Sequence, residues 1–305
     1  MTTSTPMTPS LRAAFAALVD YAGLFPPAEL PLAQAQDEYR AARQGSYAWM
    51  LGRFIIPAQL LGALTRPFDA PLSVIVDPNA EAFEDVAEHR QRGARIEALE
   101  IPLQKSISVY REQLSADEVL DVVGAIEADL VVTELRDLPA FVEVPRTAPW
   151  STVLAETMNA LARFGLAGKI RCGGLTPQAF PSVGEVAGFI AAARDAGLPF
   201  KATAGLHHPV RHIDLATGFT MHGFLNLIAA TALAPHVELR TLREIVGEER
   251  PEAFAFNETG LSWRDRRVAA AELQRMRNEA FAAYGSCSFA EPVEDLIALD
   301  MLKAQ

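Results

Sequence analysis

The chain has 305 residues, half of them hydrophobic and 21% charged, with a formal net charge of -11. That balance suits a globular enzyme with a substantial core, while the acidity and the lack of any Lys- or Arg-rich run exclude a nonspecific nucleic-acid binder. The polar start MTTSTPMTPS has no leader layout, the most apolar stretch (224–234) is too short to cross a bilayer, and Cys172 and Cys287 fit no disulfide or metal spacing, so the expectation is a cytoplasmic protein engaging neither nucleic acid nor membrane.

Short β-like runs alternate with helix-like runs along the chain. In order, strands are expected at residues 21–25, 53–57, 73–77, 95–103, 130–136, 169–174, 200–205 and 254–257. The helices between them carry punctuation. Ser115 with Glu118, and Ser182 with Glu185, have capping-box spacing, and Gly45, Gly93, Gly165 and Gly197 follow apolar-periodic segments where a left-handed cap is expected. Residues 265–305 read as a helical extension with a break at 284–288. Eight strands with intervening helices predict an α/β fold of the (β/α)8 TIM-barrel type, a closed parallel sheet with outer helices, built as one domain over 1–305. A doubly wound sheet is the alternative, but YAGLFPPAEL is not the GxGxxG that usually follows its first strand. Walker, HExxH, GxSxG and CxxC motifs are absent as well, so no cofactor is expected.

Alternation along each strand sorts its side chains between the interior and the helices. In Lys169-Ile170-Arg171-Cys172 the apolar residues face outward and Lys169 and Arg171 face inward; in Phe200-Lys201-Ala202-Thr203 the inward pair is Lys201 and Thr203. The same parity turns inward Glu134 on the fifth strand, Glu100 on the fourth, Asp77 at the end of the third, Arg53 on the second and Asn257 on the eighth. Charges cost several kcal/mol each to bury unpaired, whereas ordinary barrel interiors are layers of Val, Ile and Leu. Such an interior reads as an active site, the alternative being a structural ion-pair network.

The two lysines are the sharpest signal. Only four of the 27 basic residues are lysines, and two of those, Lys169 and Lys201, begin matching strands that end in glycine. Arginine holds its proton in proteins, whereas lysine can release one when desolvated or set beside another cation, and a neutral amine attacks carbonyl carbon. Two lysines on adjacent strands with Arg171 nearby would lower one pKa; the alternative is that both simply hold an anion. KIRCGGL and FKATAGLHH resemble the sixth and seventh strands of the deoxyribose-phosphate-aldolase type of class I aldolase. The resemblance implies a Schiff-base lysine at Lys169, a pKa-lowering partner at Lys201 and, from ALEIPL, an acid at Glu100. It spans residues 168–208 together with the barrel layout. Arg171 and Cys172 stand where that family has small hydroxyl residues, and His207–His208 replace its phosphate-loop pattern, so its phosphorylated sugar does not carry over.

Four of the six histidines fall in GLHHPVRHIDLATGFTMHG, the loop after the seventh strand. His207 is expected to move protons with Glu134 or Glu100, and His208 to orient substrate. Gly173, Gly174 and Gly205 could bring bare amides to an anion, although glycines at strand ends also simply permit tight turns. The expectation is an aldolase-like lyase acting on a small anionic carbonyl compound, bound by Arg171, Thr203, His208, Arg53, Asn257, Gly173, Gly174 and Gly205. Two alternatives stand beside it. One is a metal-dependent or electrostatic isomerase, decarboxylase or hydrolase, with a divalent ion on Asp77, Glu134, His207 and His208. The other is a non-catalytic small-molecule binder. Homo-oligomerisation is compatible with an acidic barrel, but no interface signature stands out.

Overall fold

The computed structural model describes residues 8–65, 67–103, 115–146 and 149–303. Its elements in chain order are α1 (Pro9–Phe15), β1 (Val19–Tyr21), α2 (Leu32–Gln44), β2 (Leu51–Pro57), β3 (Leu72–Ile75), α3 (Ala80–Gln91), β4 (Ile96–Pro102) and α4 (Ala116–Val132). Then follow β5 (Ala140–Glu143), α5 (Trp150–Phe164), β6 (Ala167–Arg171), α6 (Val183–Ala196), β7 (Phe200–Thr203), the hairpin β8 (His212–Ile213) and β9 (Thr220–Met221), α7 (Phe224–Leu233) and α8 (Leu239–Val246). The last are β10 (Phe254–Phe256), β11 (Gly260–Trp263), β12 (Arg266–Ala269), α9 (Ala270–Glu279), β13 (Phe281–Ser286) and α10 (Ala290–Ala298).

Eight parallel strands close in the order β1-β13-β7-β6-β5-β4-β3-β2, which is the (β/α)8 barrel expected from the alternating pattern. Three strand assignments change. Residues 130–136 are the end of α4 and the turn after it, and the fifth strand is β5. Residues 254–257 overlap β10, part of a separate antiparallel sheet β10-β11-β12. Residues 265–305 are no helical extension, because they contain β13, which pairs with β1 and β7 and shuts the barrel. The first strand also lies earlier than expected, with Tyr21 as its last residue.

Local signals set the helix ends. Both capping boxes form, Ser115 with Glu118 opening α4 and Ser182 with Glu185 opening α6. Gly165 and Gly197 are left-handed caps, whereas Gly45 is extended. Outward-facing strand residues such as Phe54, Val74, Ile170 and Phe200 join the main core beneath the helices. Inside the barrel a smaller apolar cluster of Ala98, Phe141 and Ala167 lies two residues before Glu100, Glu143 and Lys169 on their strands. It forms a small-residue floor beneath a charged layer.

Beneath that floor, at the N-terminal ends of the strands, the half-buried Arg277 donates to the Ala282 carbonyl (2.8 Å) and the Ala16 carbonyl (3.2 Å). The antiparallel sheet and α1 close the same end, with Ser10 Oγ donating to the Asn257 carbonyl at 2.5 Å. Among the described residues no helix is long and apolar enough to cross a membrane.

Candidate active site

The charged layer is carried by five strands. Lys169 on β6 and Lys201 on β7 are in register, and both are buried, at 2% and 1% exposure. A single carboxylate joins them: Glu100 Oε2 lies 2.8 Å from Lys169 Nζ, and Glu100 Oε1 lies 2.5 Å from Lys201 Nζ. Ser73 Oγ donates to Glu100 Oε1 at 2.7 Å and accepts from Lys201 Nζ at 3.3 Å. Lys201 also meets Asp20 Oδ2 at 2.5 Å, and the other oxygen of Asp20 accepts the Arg53 amide at 2.6 Å. On the opposite side Lys169 lies 3.2 Å from Glu143 Oε2, whose partner oxygen accepts from Arg171 Nε at 3.0 Å.

Three carboxylates (Asp20, Glu100, Glu143) therefore face three cations (Lys169, Lys201, Arg171), and the layer is neutral as a whole. That balance offsets the cost of burying it. The two amines differ in how they are held. Lys201 donates hydrogen bonds to Asp20, Ser73 and Glu100. Lys169 has two partners instead of three, the Oε2 atoms of Glu100 and Glu143. Lys169 is the less constrained amine.

The expected lowering of the lysine pKa by its neighbour is reversed at Lys169. Burial disfavours its ammonium form, but the charge of Glu100, then that of Glu143, outweighs burial and raises the pKa. Glu100 is held below the ordinary carboxylate range: burial works against its charge, but Lys169 and then Lys201 prevail. Glu143 is lowered in the same way, with Lys169 and then Arg171 overcoming burial. The two amines share Glu100, and that carboxylate keeps the resting site charged.

The remaining sequence-derived site residues divide by position. Thr203 is level with Arg171 on the adjacent strand. Gly173 and Gly205 press together: a Cβ on Gly173 would lie 2.8 Å from Gly205 Cα, and Gly205 has φ 67°. Gly174 is confined too, since its Cβ would sit 2.6 Å from that of Ala179. Close packing of the loops after β6 and β7 thus accounts for these glycines without an anion. His207 and His208 turn to α10 instead of the lysines: His207 Nδ1 lies 3.1 Å from Glu291, and His208 Nδ1 lies 2.7 Å from Asp295.

Arg53, Glu134 and Asn257 are away from the charged layer. The Arg53 side chain lies beside Glu97 (3.6 Å), three residues before Glu100 on β4 and so toward the closed end. Glu134 is exposed in the left-handed turn after α4, with φ 58°, and its carbonyl accepts from Arg90. Asn257 caps its own turn, accepting from the Thr259 and Gly260 amides. Asp77 lines a surface groove of about 470 Å³ with Glu81, Glu84, Asp85 and Glu88, beside α3 and outside the charged layer. The metal set Asp77, Glu134, His207 and His208 is thus not assembled, and no group of three or more His, Cys, Asp or Glu among the described residues is arranged to hold a metal ion.

Asp20, Ser73 and Glu143 are the interior groups that the sequence reading missed. The signal for Glu143 was present in AFVEV, an alternating run with the acid on the same parity as Phe141.

No protein-family model matches the chain, and no curated protein matches it in sequence. Among solved structures it is similar to mandelate oxidase with (S)-2-phenylpropionate, at 14% identity and a TM-score of 0.37, covering 86% of this chain and 73% of that one. It is also similar to dihydrodipicolinate synthase from Thermotoga maritima, at 13% identity and a TM-score of 0.38, covering 87% of this chain and 97% of that one. Likeness at this level bears on neither the reaction nor the residues.

Proposed function

We propose that the chain is an enzyme of the class I aldolase or lyase type, in which Lys169 forms an imine with a small anionic carbonyl compound. The observation that carries this reading is the setting of Lys169: a buried amine 2.8 Å from Glu100 Oε2 and 3.2 Å from Glu143 Oε2. Either oxygen can take the ammonium proton. The pair Lys-NH3+/Glu-COO- then becomes Lys-NH2/Glu-COOH with no change in net charge, and the low-dielectric interior favours that exchange relative to water. The free amine adds to the carbonyl carbon, and the carboxyl returns the proton as the carbonyl oxygen leaves as water. Lys201, tied to Asp20, Ser73 and Glu100, holds Glu100 in place and keeps a positive charge beside the developing imine. Sodium borohydride with candidate aldehydes and ketones, followed by peptide mass spectrometry, tests the reading. The expected result is a reduced adduct on Lys169 that Lys169→Met abolishes, and a wild-type protein that gains no adduct overturns it.

The raised pKa of Lys169 favours a second reading, in which the ammonium stays charged and stabilises an enolate electrostatically, as an isomerase or decarboxylase would require. Turnover without any reducible adduct would select that reading.

A further inference from the structure

Arg171 follows Lys169 by two residues on β6, so it faces the same interior about 6.6 Å nearer the strand's C-terminal end. Its Nε donates to Glu143, its side chain is 48% exposed, and neither Nη has a hydrogen-bond partner among the described residues. Thr203, level with it on β7, likewise has a hydroxyl without a partner there. That hydroxyl faces the barrel interior: a Cβ on Gly285, which stands in register with Asp20, would lie 3.4 Å from Thr203 Oγ1 and 3.0 Å from Ile55 Cδ1. A side chain at Gly285 would therefore crowd both atoms. Ile75 on β3 shares the inward parity of Ser73 and is half-buried, and in the closed order β3 lies three strands from β6 and four from β7. Arg171 and Thr203 thus give the mouth a cationic and hydroxylic side, and Ile75 gives it an aliphatic one.

A guanidinium whose Nε is occupied still presents two Nη donors in one plane, the geometry of a carboxylate's two oxygens. A phosphate dianion fits less well. It would add a second negative charge to a layer whose acids and cations already balance, beside a β7 loop where His207 and His208 already hold Glu291 and Asp295.

We propose that the substrate is a short aliphatic oxo acid, with its carboxylate on the Arg171 Nη pair and Thr203 Oγ1 and its hydrocarbon toward Ile75. The place of its carbonyl rests on the imine reading; the carboxylate seat does not. Two measurements separate them. Butyrate, which cannot form an imine, should bind saturably in calorimetry, whereas butyramide should not. Arg171→Gln should weaken butyrate about 10- to 100-fold, the loss expected for a charge-assisted pair, and the near-isosteric Thr203→Val should weaken it less. Under borohydride, 2-oxobutyrate should label Lys169 faster than its methyl ester or glyceraldehyde 3-phosphate, and Arg171→Gln should erase the advantage over the ester. Butyrate binding that is absent, or unchanged in Arg171→Gln, overturns the proposal, as does faster labelling by the phosphorylated aldehyde. Butyrate held through Arg171 with no labelling at Lys169 by any compound would sink the imine and leave the carboxylate seat standing.

Discussion

Lys169 and Glu143 stand level on adjacent strands, with Nζ and Oε2 3.2 Å apart. If the reactive amine arises by passing its proton to such a carboxylate, the number of bound protons is the same before and after. Below its pKa, an exposed lysine gains about tenfold in free amine for each unit by which the pH rises. At Lys169 the reactive fraction should instead be independent of pH, and the rate of adduct formation under borohydride should stay nearly flat from about pH 6 to about pH 9. Glu143→Gln removes one of the two acceptors and leaves Glu100; it should slow adduct formation at neutral pH, by less than the about 10²- to 10⁴-fold usual for a lost sole proton-transfer group. A wild-type rate that climbs tenfold per pH unit would show that Lys169 titrates freely and that the carboxylates take no part.

Glu100 answers to both lysines, so its removal takes one carboxylate from each, leaving Lys201 with Asp20 and Lys169 with Glu143 as their remaining acids. Glu100→Ala should destabilise the protein by about 3–5 kcal/mol, the range for breaking a buried pair from one side. Glu100→Gln keeps the shape and the bond from Ser73 but not the charge, so its loss should be smaller and its adduct formation severely impaired. Urea denaturation of the three proteins at neutral pH measures the first effect; a Glu100→Ala protein as stable as wild type would mean that the layer does not act as a unit.

Lys169, Lys201 and Glu100 were legible because each sits in a run of apolar neighbours with clear alternation, as in FKAT and ALEIP. The same alternation misplaced Glu134. LVVTELR reads as a strand, yet α4 runs through Val132, and its last turn leaves Val131 52% and Val132 78% exposed. Apolar residues on a solvated helix end imitate a strand, and periodicity over a few residues does not separate the two. Asp20 and Glu143 lie on strands of only three and four residues, too short for a period to register. β13, with the sequence FAAYGS, offers mostly small residues of weak preference, so its first three residues read as helix and its last three as part of the break at 284–288. The link between Asp20 and Lys201 spans 181 positions and exists only once the barrel closes.

His207 carries a different kind of prediction. Burial disfavours its charge, but contact with Cys287 Sγ (3.7 Å) and Glu291 (3.1 Å) raises its pKa from 6.5 to about 10. A raised folded-state pKa adds stability that is complete below the unfolded value and disappears as pH rises through the folded one. The melting-temperature difference between wild type and His207→Gln should therefore be largest below pH 6.5 and fade as pH approaches 10. The ring's NMR titration should be centred near 10; a midpoint near 6.5 would mean that the tie to α10 is not made in solution.

Glu248 should behave with the opposite sign. Its side chain is 4% exposed and meets Arg264 Nη2 at 2.7 Å and Arg250 Nε at 3.0 Å. Burial opposes its charge, but hydrogen bonds from Arg250 and Arg264 prevail and lower its pKa from 4.5 to about 2. A lowered folded-state pKa adds stability that is complete above the unfolded value and lost as pH falls through the folded one. Glu248→Gln should thus melt below wild type at neutral pH, with a gap that narrows only as pH drops from 4.5 toward 2. Because Asn226 Nδ2 donates to the backbone carbonyls of Ile245 and Glu248, the substitution leaves this turn anchored to α7. The barrel mouth lies elsewhere, so labelling of Lys169 should be unchanged; a variant that matches wild type at every pH would show the two arginines to be solvated rather than paired.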